Sequence, residues 1–462
     1  MATEQLFNVP EHWDTLTLGE ACTRGGGDVQ TGPFGSQLHA SDYVPHGIPS
    51  IMPQNIGDNR IITEGIARIT LADAERLSRY RVKQGDIIYS RRGDVERRAL
   101  VRAEEDGWLC GTGCLRVRFG SGPINPKYAT YYLGHPAARE WIVRHAVGAT
   151  MPNLNTSILS SLPFVIPPRA EQEQIAEVLG SFDDKIDLNR RMNQTLEAMA
   201  QALFRSWFVD FDPVRAKAEG RQPEGMDAAT AALFPSRLAD ANGTQLPEGW
   251  SRSRLGQEVG RCGGMIQTGP FGSQLHASDY VSHGVPVVMP KDISLRHVST
   301  TDIARVRHED AQRLARHQLC EGDLVYSRRG DVERHALVGI REQGWLCGTG
   351  CLLVRLGPKW PSPIYVSLAL SQPKAKAWIS QHAIGATMPN LNTGILANVP
   401  LLVPPDEVLV TFSGIVSALE AQIVQNQRQS ETLEQLRNLL LPKLLSGEIR
   451  VREAETQLAA SA

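Results

Sequence analysis

No apolar run in the sequence approaches the length of a membrane span, and the first residues, MATEQLFNVPEHW, lack the basic-then-apolar layout of a secretory signal. The expectation is a cytoplasmic protein. Charge of one sign is missing too. The formal net charge is -2, with 21% charged and 42% apolar side chains, so no global field marks a polyanion partner and any nucleic-acid contact must rest on local charge. Cysteine is sparse and odd in number: Cys22, Cys110, Cys114, Cys262, Cys320, Cys347 and Cys351 make no disulfide framework in a chain of 462 residues. The two CGTGC pairs at Cys110–Cys114 and Cys347–Cys351 match zinc ribbons poorly, because no second histidine or cysteine pair lies nearby. Free thiols, buried or half-buried, and no metal are expected. Catalytic signatures are absent as well. There is no G-x-x-x-x-G-K-[ST], no G-x-G-x-x-G between a strand and a helix, and no N-P-P-[FY]-like amino-methyltransferase motif; FDPV at 211–214 and IPPR at 166–169 come no closer. Ser36, His39 and Asp42 lie three apart in a glycine-rich loop, where such residues cap turns or touch ligands more often than they form a triad. No catalytic residue and no cofactor is assigned to this chain.

What the chain does have is itself, twice. QTGPFGSQLHASDYV runs over 30–44 and again over 267–281. SRRGDVER recurs at 90–97 and 327–334, GWLCGTGCL at 107–115 and 344–352, and GATMPNLNT at 148–156 and 385–393, always 237 residues apart. The same offset carries Trp13 to Trp250 and Thr195–Glu197 to Thr432–Glu434 without a gap. A period this long indicates duplicated domains rather than a solenoid.

Each copy has two parts. The first is mixed: DIIYSRR and CLRVRF read as strands, LADAERLSRY behind Thr70 as a capped helix, KYATYYLG and AAREWIVRHA as helices, and LPFVIPP as a strand stopped by its prolines. The second is a heptad-like seam: Ile175, Leu179, Phe182, Ile186, Asn189, Asn193, Leu196, Ala200, Leu203 and Trp207, matched by Phe412, Val416, Leu419, Ile423, Asn426, Ser430, Leu433, Arg437, Leu440 and Leu444. Each seam either packs on its own domain or pairs with the other. Pairing antiparallel would bring Asn189 near Asn426 and make a rod between two heads. The fold expected is α+β, with two similar globular domains joined by two long antiparallel helices as a coiled-coil spacer. The parts are residues 1–168, a head; 169–208, a helix; 209–245, a Pro/Gly-rich connector with a short helix at AATAALF; 246–405, the second head; 406–447, the second helix; and 448–462, a tail.

The polar loops carry what recognition there is. Arg76–Arg102 holds nine basic and three acidic side chains, a local excess suited to a phosphate backbone. Within it Arg91, Arg92, Asp94 and Arg97 follow an apolar strand; arginine grips guanine bidentately and a carboxylate accepts from cytosine. The second copy, Arg328, Arg329, Asp331 and Arg334, sits in a less basic stretch, so a solvated hairpin with internal ion pairs competes with that reading. The repeated loop offers Thr31, Ser36, Gln37 and His39, and Thr268, Ser273, Gln274 and His276, framed by glycines that allow close approach. Glutamine can read adenine through two hydrogen bonds, although a structural turn explains the loop equally well. Asn153 and Asn155 of MPNLNT fit turn capping or base contact.

The order of pieces carries a resemblance. GPFGS loops, TMPNLN before LPFVIPP, then EQEQIAEVLGSFDDKIDLNRRMNQTLEAMAQALFRSWFVDFDP, and a second half ending TLEQLRNLLLPKLLSGEI, resemble a specificity subunit of a Type I restriction–modification enzyme over nearly the whole chain. The resemblance implies heads that each recognise half of a split double-stranded DNA site, and helices that set the spacing. It implies two adenine-methylating modification subunits, which bind S-adenosylmethionine and dock on the helices, and helicase-nuclease restriction subunits beyond them. This chain departs from the family in one respect: its two heads are near copies, which implies a nearly inverted-repeat target, unless differences such as Gln54–Asn55 against Lys291–Asp292 and Arg98 against His335 make the halves unequal. Specificity for another methyltransferase or nuclease system, or a duplicated protein scaffold that does not bind DNA, are the alternatives.

Overall fold

The computed structural model describes residues 5–450 apart from 149, 242, 273, 295, 386 and 387. These divide into two compact units: one takes the chain up to Arg190 and again from Gln427, the other comprises Arg191–Asn426. In the first unit an antiparallel sheet has the strand order Asp28–Thr31, Cys114–Arg118, Ile87–Ser90, Arg98–Leu100. Ile87–Ser90 is buried at every position, which is why it reads as an unbroken apolar run rather than an alternation. A second sheet places Tyr43–Ile51 between Ala67–Ile69 and Leu109–Cys110. Thr70 accepts a hydrogen bond from the Asp73 amide and caps the helix Leu71–Arg76. That helix is shorter than LADAERLSRY suggests, because the chain tightens into a 3₁₀ turn at Ser78–Tyr80. Asp14–Thr17 pairs with Pro163–Ile166, and the hydroxyls of Tyr128 and Tyr132 donate to the Val165 and Pro163 carbonyls, each at 2.9 Å, which satisfies both buried phenols. The second unit repeats this plan with strands Met265–Thr268, Cys351–Arg355, Leu324–Ser327 and His335–Leu337.

Both long helices form, Arg169–Phe208 and Asp406–Leu445. Within the first unit Ile175, Leu179 and Phe182 share a core with Leu440, Leu441 and Leu444. The Asn189 amide donates to Gln429 at 2.9 Å and Ser430 at 3.2 Å. Rising numbers on one helix meet falling numbers on the other, so the segments run antiparallel. In the second unit Asn426 donates to Asn193 at 2.8 Å, and Phe204, Trp207 and Phe208 ring Phe412. Seam residues Asn189, Ile423 and Asn426 are buried; Ile186, Leu196 and Leu433 are half-buried. The second helix holds an 18-residue window of mean hydropathy 1.5, long and apolar enough to cross a membrane by length and composition, which the sequence reading did not anticipate. Phe412, Val416, Ile423, Leu440 and Leu444 of that helix are buried against the protein.

The stretch expected to be a plain connector is more than that. It forms helices at Asp212–Ala218 and Ala228–Ala232 and a hairpin of Leu238–Ala241 with Thr244–Pro247. Phe211, Val214 and Phe234 enter the core of the second unit, where Phe234 meets Trp207 edge-on at 5.0 Å.

The two similar heads grip their helix segments by different chemistry. In the first unit Asp183 on the first helix accepts from Asn59 at 3.3 Å, from the Tyr131 hydroxyl at 2.7 Å and from Arg437 on the second helix. In the second unit the repeat puts Arg296 where Asn59 stands and Ala200 where Arg437 stands. Arg296 is buried; it donates twice to Glu197 at 2.9 Å, to Glu420, and to Ser367 at 3.2 Å. The docking cation therefore comes from a helix in one unit and from the head in the other. Arg296 holds φ at 65° and Asn59 at 54°. Asparagine tolerates that left-handed conformation far better than arginine, so the buried guanidinium is kept at some backbone cost.

Candidate nucleic-acid interface

The antiparallel register decides where the repeated motifs go. Thr31 lies opposite Leu115, and Ser90 opposite Cys114, so the end of the first strand, the start of the second and the end of the third all open at one end of the sheet. The loops leaving them are stitched together by backbone. Gly32 donates to the Cys114 carbonyl and Arg91 to Gly113, both at 2.9 Å; Leu154 donates to Arg91 at 2.8 Å and Gly93 to Pro152 at 3.2 Å. Asn153 and Val147 exchange hydrogen bonds at 2.9 and 3.0 Å. GPFGS, SRRGD, CGTGC and MPN thus form one contiguous loop face. Gly32 must be glycine here, because a Cβ would stand 2.1 Å from the Gly111 oxygen. The second head repeats each link: Gly269 to Cys351 at 2.9 Å, Arg328 to Gly350 and Leu391 to Arg328 at 2.8 Å, and Gly330 to Pro389 at 3.1 Å.

Of the basic stretch Arg76–Arg102, several members are committed inside the protein. Arg76 pairs with Asp73 at 2.8 Å and Arg102 with Asp187 at 3.3 Å, while Arg98 is buried and donates to the Thr130 carbonyl at 2.7 Å. Arg97 pairs with Asp94 at 2.9 Å, and Arg334 pairs with Asp331. Arg91 and Arg92, and Arg328 and Arg329, enter no ion pair among the described residues; the first of each pair is half-buried and the second exposed. Within the two copies of SRRGDVER these four are the arginines left without an ion-pair partner among the described residues.

In the repeated loop Thr31 and Thr268 are half-buried and close the first strand of each sheet. Ser36, His39 and His276 expose their side chains. Ser273 lies outside the described residues. The backbone amides of His39 and His276 donate to Asp42 and Asp279 at 2.8 Å, which is the turn capping that the loop's composition suggests. The Gln37 side-chain oxygen accepts from the Phe34 amide at 3.2 Å and the Tyr80 hydroxyl at 2.8 Å, and Gln274 accepts from Phe271 at 3.2 Å. With both lone pairs of that oxygen engaged, a bidentate contact with adenine is not available to Gln37 as the loop stands, whereas Gln274, whose copy has His317 in place of Tyr80, keeps one lone pair. Asn155 caps the helix Thr156–Ser160, leaving Asn153 as the MPNLNT amide on the loop face.

Three exposed apolar side chains on the same face were not marked by the sequence reading. Phe34 is 54% exposed, Val147 63% and Met151 61%; their counterparts Phe271, Ile384 and Met388 are 55%, 62% and 64% exposed. Phe34 and Met151 recur inside verbatim repeats, which was the available signal, and Val147 returns as Ile384 just outside one.

The heads differ mostly out of reach of this face. Asn55 and Asp292 are buried and accept from the Met52 and Met289 amides at 3.1 and 2.8 Å. Arg98 and His335 are also buried; burial pushes the His335 imidazole down to about 3, and its Nε2 is 3.0 Å from the Ser367 carbonyl. Gln54 against Lys291 is an exposed difference, beside Pro53 and Pro290, which pack near Gly113 and Gly350.

Cys110 and Cys114 are buried; burial pushes the Cys110 thiol up to about 12, and Cys114 sits 3.2 Å from the Ile51 carbonyl. Cys320 is the exposed thiol.

Comparison with known proteins places this geometry. The sequence model of the Type I restriction modification DNA specificity domain matches residues 10–198, and the 237-residue offset carries that stretch onto 247–435. The HindI specificity subunit of Haemophilus influenzae is 26% identical over 87% of this chain and 95% of its own. The MjaIX specificity subunit of Methanocaldococcus jannaschii is 23% identical over 96% and 95%. A crystal structure of a Type I restriction–modification S subunit from M. genitalium shares the fold, with a TM-score of 0.50 at 16% identity, covering 95% of this chain and 98% of that one.

Proposed function

Because this chain belongs to the specificity subunits of Type I restriction–modification enzymes, which recognise DNA and catalyse no reaction themselves, we propose that each head reads one half of a bipartite double-stranded site and that the two half-sites are nearly the same sequence in inverted orientation. The observation that carries this reading is the loop face at one end of each sheet, present twice with the same backbone links and the same free arginine pair. Buried differences such as Asn55/Asp292 and Arg98/His335 act inside the heads, and on the face itself Val147 is replaced only by the similar Ile384. Gln54 against Lys291 is an exposed change of charge near the face and the first place to look for unequal halves.

In this reading the paired helices set the interval between half-sites. They also offer docking for two modification subunits, which bring S-adenosylmethionine and the adenine-methylating chemistry, with restriction subunits joining that core in the cytoplasm. Exposed Met192 and Met199, seven residues and so about two turns apart on the first helix, support a partner there. Hydroxyl-radical footprinting of the complex with its modification subunit tests the split reading. Two protected tracts with a cleavable interval between them are expected, and one unbroken tract would overturn it.

A further inference from the structure

The loops that carry the free arginines also carry a feature that charge does not explain. Large apolar side chains that are more than half exposed and stand on neighbouring, backbone-linked loops mark a surface with a use. Here Phe34 stands on the loop after Gly32, while Val147 and Met151 belong to the turn tied to Arg92 through Asn153, and the second head repeats the set as Phe271, Ile384 and Met388. Nothing in the fold requires these side chains: Leu38 and Leu154, in the same motifs, supply the buried anchors. The face therefore combines free cations, which suit phosphate, with apolar tips, which suit the inside of a base stack.

Resting on the DNA-recognition reading above, we propose that Phe34 with Met151 in the first head, and Phe271 with Met388 in the second, are wedges. They press between adjacent base pairs of each half-site and locally unstack the duplex, while Arg91/Arg92 and Arg328/Arg329 hold the flanking phosphates. Apolar wedges of this kind kink DNA at the cost of lost base stacking, offset by the added contact the bend permits. Deformable steps, pyrimidine followed by purine, would then be favoured where the wedge enters, giving selectivity at base pairs no polar side chain touches.

The test uses the full chain assembled with its modification subunit, on duplexes carrying 2-aminopurine at single positions other than the methylated adenine, with donor and acceptor dyes at the ends. The wild-type complex should brighten the reporter at one step in each half-site and shorten the end-to-end distance. Phe34→Ala with Phe271→Ala should abolish both signals and weaken binding about tenfold to a hundredfold, with the salt dependence of binding unchanged, because no phosphate contact is removed. Met151→Ala with Met388→Ala should have a smaller effect in the same direction. Variants that match wild type in affinity, brightening and bend would overturn the wedge while leaving the DNA-recognition reading standing. Variants that bind DNA normally but no longer assemble with the modification subunit would assign the face to a protein partner instead. Failure of the wild-type complex to bind any duplex specifically would sink the reading beneath both. These side chains are exposed, so an unchanged melting temperature shows that loss of fold is not the cause.

Discussion

Arg296→Asn is expected to destabilise the protein by about 3–5 kcal/mol at pH 8, the usual cost of removing one partner from a buried ion pair. The substitution installs the residue that the first head carries at this position and relieves the left-handed backbone, so any loss of stability reports the charge. Without the guanidinium, Glu197 and Glu420, whose side chains are 16% and 12% exposed, face one another with only His297 nearby, 3.7 Å from Glu420. Burial alone raises the Glu197 carboxyl; the hydrogen bonds and charge of Arg296 outweigh it and hold the group below its ordinary 4.5. A depressed carboxyl stabilises the fold above 4.5 and loses that contribution as pH falls below it. In the variant the sign reverses: burial without the guanidinium makes the Glu197 carboxyl take up a proton more readily folded than unfolded, so the deficit should shrink as pH falls from 8 towards 5. Urea unfolding across that range measures it. Adding Glu197→Gln and Glu420→Gln should recover much of the loss. The counterpart Asn59→Ala should cost less, about 1–3 kcal/mol for lost buried hydrogen bonds, because Arg437 still faces Asp183. Equal costs at the two positions would contradict the asymmetric docking. The asymmetry also implies that the heads are not interchangeable on their helix segments: the first head on the second's segments would take the buried guanidinium of Arg296 away from Glu197 and Glu420, and the reverse would set Arg296 against Arg437.

Replacing Arg91 and Arg92 together by alanine should weaken specific DNA binding about tenfold to a hundredfold near 0.15 M salt, and lower the slope of log affinity against log salt by about 1.8 if both contact phosphate. A loss confined to one base position, with an unchanged slope, would show instead that one of them reads a guanine edge. Assembly with the modification subunit should survive, since neither side chain anchors the core. Arg97→Ala is the control: its exposed pair with Asp94 adds little to stability or to the free charge, so binding should change less than threefold, on the scale of about 0–1 kcal/mol for surface pairs. Titrations at several salt concentrations decide this, and unchanged binding by the double variant would remove both arginines from the interface.

The elements of the fold were legible because apolar periodicity and breakers are local signals: Ile87–Ser90, the Pro167–Pro168 stop and both 40-residue helices stand where the pattern puts them. The connector was misjudged because its composition hid Phe211, Val214 and Phe234, whose role depends on a distant core. Candidate site residues were legible as types and only partly as roles. Nothing in SRRGDVER says which arginines are free; that follows from Asp94 meeting Arg97 across three residues and from the strand that turns Arg98 inward. Asn59 against Arg296 looked like one of many small differences between copies, because its partners lie far away in sequence, on the helices.

The central claim is that both heads read the same half-site. Mapping methylated adenines in DNA modified by this chain and its cognate modification subunit tests it most directly. The account expects a single bipartite motif whose two halves are the same short sequence in inverted orientation, or differ at no more than a base pair near Gln54 and Lys291, separated by an interval of fixed length and any sequence. Two unrelated half-site sequences would contradict it.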